Sequence, residues 1–109
     1  MSEVLHDLSA WRAALARHRV AFCFKHSRIC RASAAAHAEW LAFTAAHPEV
    51  PTLFVDVIAD RAVARGLAEE CGVAHASPQA ILFRDGRAVW SASHRAITAA
   101  ALARALASA

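Results

Sequence analysis

The residues with the clearest chemistry are Cys30 and Ser33, in the segment Cys30-Arg31-Ala32-Ser33 that begins a stretch without glycine or proline up to His47. A cysteine at a helix N-terminus meets unpaired backbone N–H groups and the positive end of the helix dipole, and both favour the thiolate. Lys25, His26, Arg28 and Arg31 flank it in sequence. Nearby positive charge lowers a thiol pKa further, from about 8.5 to between roughly 3.5 and 7.5 in related sites. A thiolate of this kind attacks disulfides. A dithiol Cys-x-x-Cys site can then release its own mixed disulfide; Ser33 cannot, although its hydroxyl can donate a hydrogen bond to Cys30. A monothiol site therefore needs an outside thiol to regenerate it.

The remaining candidates are weaker. Cys23, Cys30 and Cys71 are an odd set without repeated spacing, which argues against a disulfide framework. Cys23 lies three residues before His26, but alternation along a strand aims the two at opposite faces, and no fourth ligand has zinc-site spacing, so no metal site is expected. Cys23 reads as a small buried apolar residue, and Cys71 as structural or an occasional resolving thiol. Ser77-Pro78-Gln79 directly precedes an apolar run.

The elements that would position these residues follow from periodicity. Val4, Leu8, Trp11 and Leu15 share a face of a helix expected from Glu3 to Arg17. Val20 to Lys25 is a continuous apolar run of strand length, as in a strand covered on both faces. A second helix is expected from Cys30 to His47, with Ile29, Ala36, Trp40 and Phe43 on one side, closed by Pro48 and Pro51. Thr52 to Val57 reads as the next strand, and Asp60 and Gly72 bracket a third helix carrying Val63 and Leu67. Ala80–Arg84 and Arg87–Ser91 form a hairpin through Asp85-Gly86, and Thr98 caps a last helix with Leu102 and Leu106.

This order predicts an α/β fold: a four-stranded mixed sheet flanked by helices, with an additional N-terminal helix, in a single domain over residues 1–109. A cysteine between the first strand and the next helix, with a proline just before an antiparallel hairpin, is the ground plan of the thioredoxin-like fold. In that plan the proline is cis, faces the active cysteine and frees the preceding backbone to pair with an extended substrate, so a cis Ser77-Pro78 bond is expected. The 109 residues carry a net charge of +3, with arginines scattered rather than gathered into a stripe, which excludes an evident nucleic-acid surface. No apolar run approaches the roughly 20 residues of a membrane span. Glu3, His6 and Asp7 break any signal-peptide pattern, so a cytoplasmic location is expected.

The segment Lys25-His26-Ser27-Arg28-Ile29-Cys30-Arg31-Ala32-Ser33, followed by Ser77-Pro78-Gln79-Ala80-Ile81-Leu82, Asp85-Gly86, Ser93-His94 and Ile97-Thr98, resembles the monothiol bacilliredoxins of the YtxJ-like (bacilliredoxin C) group over nearly the whole chain. Their pattern has proline and an aliphatic residue between cysteine and serine; here Arg31 and Ala32 stand there, adding charge beside the thiol. The resemblance implies a cytoplasmic thiol-disulfide oxidoreductase with no tightly bound cofactor. Its co-substrate would be bacillithiol, a malate-bearing small thiol, and its partners bacillithiolated client proteins and a bacillithiol disulfide reductase. Cys30 and Ser33 would be catalytic, and Lys25, His26, Ser27, Arg28, Arg31, Ser77, Pro78 and His94 would bind substrate, with Lys25, Arg28 and Arg31 pairing with the malate carboxylates. Two other readings are an iron–sulfur carrier like the monothiol glutaredoxins, whose glycine-phenylalanine between Cys and Ser this chain lacks, and a redox-silent adaptor binding partners near Pro78.

Overall fold

The computed structural model describes residues 2–109. Alternation along the apolar run at the centre of the chain decides its layers. Strand β2 (Val20–His26) sends Phe22 and Phe24 to one face and Cys23 and Lys25 to the other, and nearly all of it is buried. It lies between β3 (Thr52–Asp56), paired in parallel, and β4 (Gln79–Arg84), paired antiparallel. Strand β5 (Arg87–Ser93) extends the sheet beyond β4, and a two-residue strand β1 (Glu3–Val4) runs parallel to β3 at the opposite edge. The order is β1-β3-β2-β4-β5.

Helices α1 (Leu8–Arg17) and α3 (Arg61–Cys71) cover one face, where Trp11, Leu67, Leu53 and Phe83 pack with Cys23. Helices α2 (Arg31–Ala46) and α4 (Ala99–Ser108) cover the other, where Trp40, Phe43 and Leu102 pack with Phe22 and Phe24. This is the thioredoxin-like α/β arrangement with a mixed sheet and four helices. No helix among the described residues is long and apolar enough to cross a membrane.

Two expectations are corrected. The sheet has five strands, not four, because Glu3–Val4 pairs with Leu53–Phe54 instead of opening a helix. The four-three-four spacing drew Val4 into the helical face, but the Asp7 side chain accepts from the Ala10 N–H at 2.7 Å and starts α1 there. Leu5, not Val4, enters the core. Ile29 also leaves its assigned face. It lies before α2 and is 85% exposed, while Ala36, Trp40 and Phe43 are buried as expected.

Two of the end signals act as their chemistry requires, whereas Asp60 sits at the α3 N-cap without a side-chain capping bond, its carboxylate meeting His6 Nδ1 at 3.1 Å instead. Thr98 Oγ1 accepts from the Ala101 N–H at 3.0 Å, and Gly72 ends α3 at φ 77°, a left-handed conformation that suits glycine. Asp85 and Gly86 both have positive φ, the condition for a tight hairpin whose twist matches its strands. On the α2 side, Trp40 stacks on Phe24 at 5.1 Å between ring centroids and meets Phe22 edge-on at 6.2 Å, fixing α2 against the sheet. Trp40→Ala is expected to cost about 3–5 kcal/mol, read as a lower urea midpoint with little change in slope.

Candidate active site

The end of β2 and the start of α2 are joined by a tight loop, Ser27–Cys30, whose shape is set by two bonds. The Cys30 N–H donates to the Ser27 carbonyl at 3.3 Å, and the Ser27 N–H donates to Ser33 Oγ at 3.2 Å. Ser33 is completely buried on the first turn of α2. Its hydroxyl thus draws the loop against the helix, with its own proton still free to point at the Cys30 sulfur.

Cys30 is the N-cap residue of α2 and is half-buried. Its Sγ closes no capping hydrogen bond of ordinary geometry. The Ser33 backbone N–H nonetheless lowers the thiol pKa most, helped by the Ala32 N–H and the Ser33 hydroxyl, while partial burial opposes them. The helix end, and not the basic side chains nearby in sequence, favours the thiolate. Cys23 is the opposite case: wholly buried, its thiol is pushed up to about 12, first by desolvation.

The flanking basic residues disperse. Lys25, expected at the substrate surface, has no exposure at all; its ammonium donates to Gln79 Oε1 at 3.0 Å on the α1/α3 side of the sheet. The reason is the strand period, which sends residue 25 to the same face as Cys23. Burial lowers the Lys25 pKa. Lys25 therefore cannot meet a substrate carboxylate. Arg28 lies 3.5 Å from Asp56 at the end of β3, and the Asp56 carboxylate also accepts the N–H groups of Ile58 and Ala59. Arg31 is exposed on the first turn of α2.

His26 turns to the α2 face. Its ring lies 4.4 Å from that of His37 and is bordered by Phe24 and Phe54, and its Nδ1 is buried without a partner. Burial first, and then His37, lower its pKa against the pull of Asp56. Ser77-Pro78 is cis and lies at the same end of the sheet, one residue beyond the Gln79–Lys25 pair of the β4 ladder. Ser77 Oγ is buried without a hydrogen bond. The Pro78 carbonyl accepts from the N–H of His94, which begins a single 3-10 turn, His94–Ala96, and sits at φ 55°.

The structure thus gathers Cys30, Ser33, Ser27, His26 and Arg28 at the β2–α2 junction, with Ser77, Pro78 and His94 at the same sheet end, and removes Lys25. Three participants escaped the sequence reading. His37 sits four residues after Ser33, one turn further along the same helix face, a spacing that could have flagged it. Asp56 and Gln79 come from β3 and β4, and nothing local in sequence ties them to Arg28 and Lys25.

A family model for the monothiol bacilliredoxin BrxC matches residues 3–102. The chain belongs to the monothiol bacilliredoxin family. Bacilliredoxins are thiol-disulfide oxidoreductases, and similar solved structures share the fold. One, described as having a thioredoxin fold, is 27% identical with a TM-score of 0.90, covering 96% of this chain and 93% of its own. Mitochondrial thioredoxin 3 from Saccharomyces cerevisiae is 18% identical with a TM-score of 0.78, covering 99% and 95%. A Fasciola hepatica thioredoxin is 18% identical at 0.77, covering 97% of each chain. These last two establish likeness of fold alone.

Ser33→Ala removes the acceptor of the buried Ser27 N–H and the hydroxyl facing the thiol. It is expected to cost about 1–3 kcal/mol of stability and to slow alkylation of Cys30 by iodoacetamide at neutral pH. Chemical denaturation and alkylation followed by mass spectrometry check the two effects.

Proposed function

We propose that the protein removes bacillithiol from mixed disulfides on other proteins, with Cys30 as the nucleophile and Ser33 as the residue that shapes the loop and hydrogen-bonds the thiolate. The Cys30 thiolate attacks the bacillithiol sulfur of a client disulfide. A Cys30–bacillithiol disulfide forms, the client S–S bond breaks, and the client sulfur leaves as a thiolate that takes a proton from solvent. A second bacillithiol thiolate then attacks the adduct, freeing Cys30 and producing bacillithiol disulfide, which a separate reductase returns to thiol. The two attack steps each exchange one S–S bond for another without net oxidation, and the reductase supplies the two electrons that cleave the bacillithiol disulfide.

The observation that carries this reading is the partly exposed thiol at the α2 N-cap, with a buried serine hydroxyl three residues on where a resolving thiol would stand, in a chain of the monothiol bacilliredoxin family. Cys23 is buried with a strongly raised pKa, which supports assigning the chemistry to Cys30. His26, Ser27, Arg28, Arg31, Ser77, Pro78 and His94 surround the approach to the thiol in this reading, and residues 1–109 act as one domain in the reducing cytoplasm.

Incubation with oxidised bacillithiol, followed by peptide mass spectrometry, is expected to place the added mass on Cys30 and to leave Cys30→Ser without it. Labelling of Cys23 or Cys71 with Cys30 unmodified overturns the assignment.

A further inference from the structure

Starting at Arg31, the residue after Cys30, a groove of about 600 Å³ lies between the first turns of α2 and the 3-10 turn after β5. This is within the roughly 300–1,000 Å³ of small-molecule sites. Its floor is apolar, from the buried Ala36 and Ile97, and exposed Arg31, His94 and Arg95 also line it. Arg31 and Arg95 are exposed, and neither makes an ion pair among the described residues. The one carboxylate in the lining, Glu39, accepts the Ala99 N–H at 2.9 Å through one oxygen at the start of α4, and its charge is outnumbered by those of Arg31 and Arg95.

The two residues before Cys30 differ in character: Ile29 is 85% exposed, and Arg28 is engaged with Asp56. Unpaired cations and apolar lining thus occur together in the groove that begins at Arg31, the residue after Cys30.

We propose that this groove seats the carboxylate-bearing part of the small thiol, with Arg31 and Arg95 as its anion partners, while the client polypeptide approaches across Ile29 and Pro78. The inference rests on the exchange reaction proposed above and adds its sidedness and a recognition residue, Arg95. Held there, the small thiol presents its sulfur to the Cys30 thiolate, the S–S bond to the client breaks, and the client leaves past Ile29. The 3-10 turn is fixed for this role, because the His94 N–H is bonded to the Pro78 carbonyl at 3.1 Å and the Ile97 N–H to the His94 carbonyl at 3.2 Å.

The test compares second-order rates of adduct formation on Cys30 with three disulfides: the anionic bacillithiol disulfide, the neutral hydroxyethyl disulfide and the cationic cystamine. The neutral probe corrects for any change in Cys30 reactivity, and circular dichroism confirms folding of these surface variants. For Arg95→Glu and Arg31→Glu, the anionic-to-neutral rate ratio is expected to fall about three- to tenfold, the size of one or two exposed ion pairs lost or reversed. The cationic-to-neutral ratio is expected to rise, and added salt to shrink both differences. Unchanged ratios overturn the groove assignment while leaving the exchange reaction standing, since Cys30 still takes adducts. Unchanged ratios together with slower transfer from an acidic bacillithiolated peptide would give the groove to the client and likewise overturn it. No adduct on wild-type Cys30 with any probe overturns both proposals.

Discussion

The β2–α2 junction of this molecule depends on one side chain placed in the first turn of α2: the buried hydroxyl of Ser33, accepting the Ser27 N–H. That bond folds the β2–α2 junction back on the helix and leaves Cys30 at its N-cap. The N–H groups of the first turn, with no intrahelical partners, then favour negative charge on sulfur. Position and reactivity thus share one cause. The same substitution that would make the site a dithiol would also exchange this hydroxyl acceptor for a weaker sulfur one, so the serine is structural as well as unable to form a disulfide.

The sheet keeps incompatible groups apart. On the α1/α3 side it buries Cys23, with its raised pKa, and Lys25, whose ammonium is answered by the side-chain oxygen of Gln79 while the Gln79 amide donates to the Ala74 carbonyl at 3.0 Å. An ammonium so buried costs stability unless hydrogen-bonded, and one neutral partner is modest compensation. Gln79 is therefore tied at both ends, which steadies the strand that follows the cis Ser77-Pro78 bond. On the other side, His26 and His37 meet ring to ring, bordered by Phe24 and Phe54, and burial lowers the His26 pKa.

Most of the architecture could be read from local signals. Continuous apolar runs gave β2 and β3, Asp85-Gly86 gave the hairpin, and Thr98 and Gly72 marked helix ends. Those signals act between near neighbours. What failed depends on partners remote in sequence: Glu3–Val4 becomes a strand only because β3 offers an open edge, and Ile29 stays in solvent because the loop, not the helix, carries it. The thiol and its serine were legible because helix-end chemistry is local. The fate of the cations was not, since a period-two strand buries Lys25 and a carboxylate from β3 engages Arg28.

The central claim is that the α2 N-terminus makes Cys30 a thiolate at lower pH than an ordinary cysteine. The direct measurement is the rate of Cys30 alkylation against pH in a Cys23→Ser, Cys71→Ser protein, where one thiol reports. The account predicts a single titration with its midpoint below the ordinary cysteine value of about 8.5. A midpoint at or above that value would contradict it.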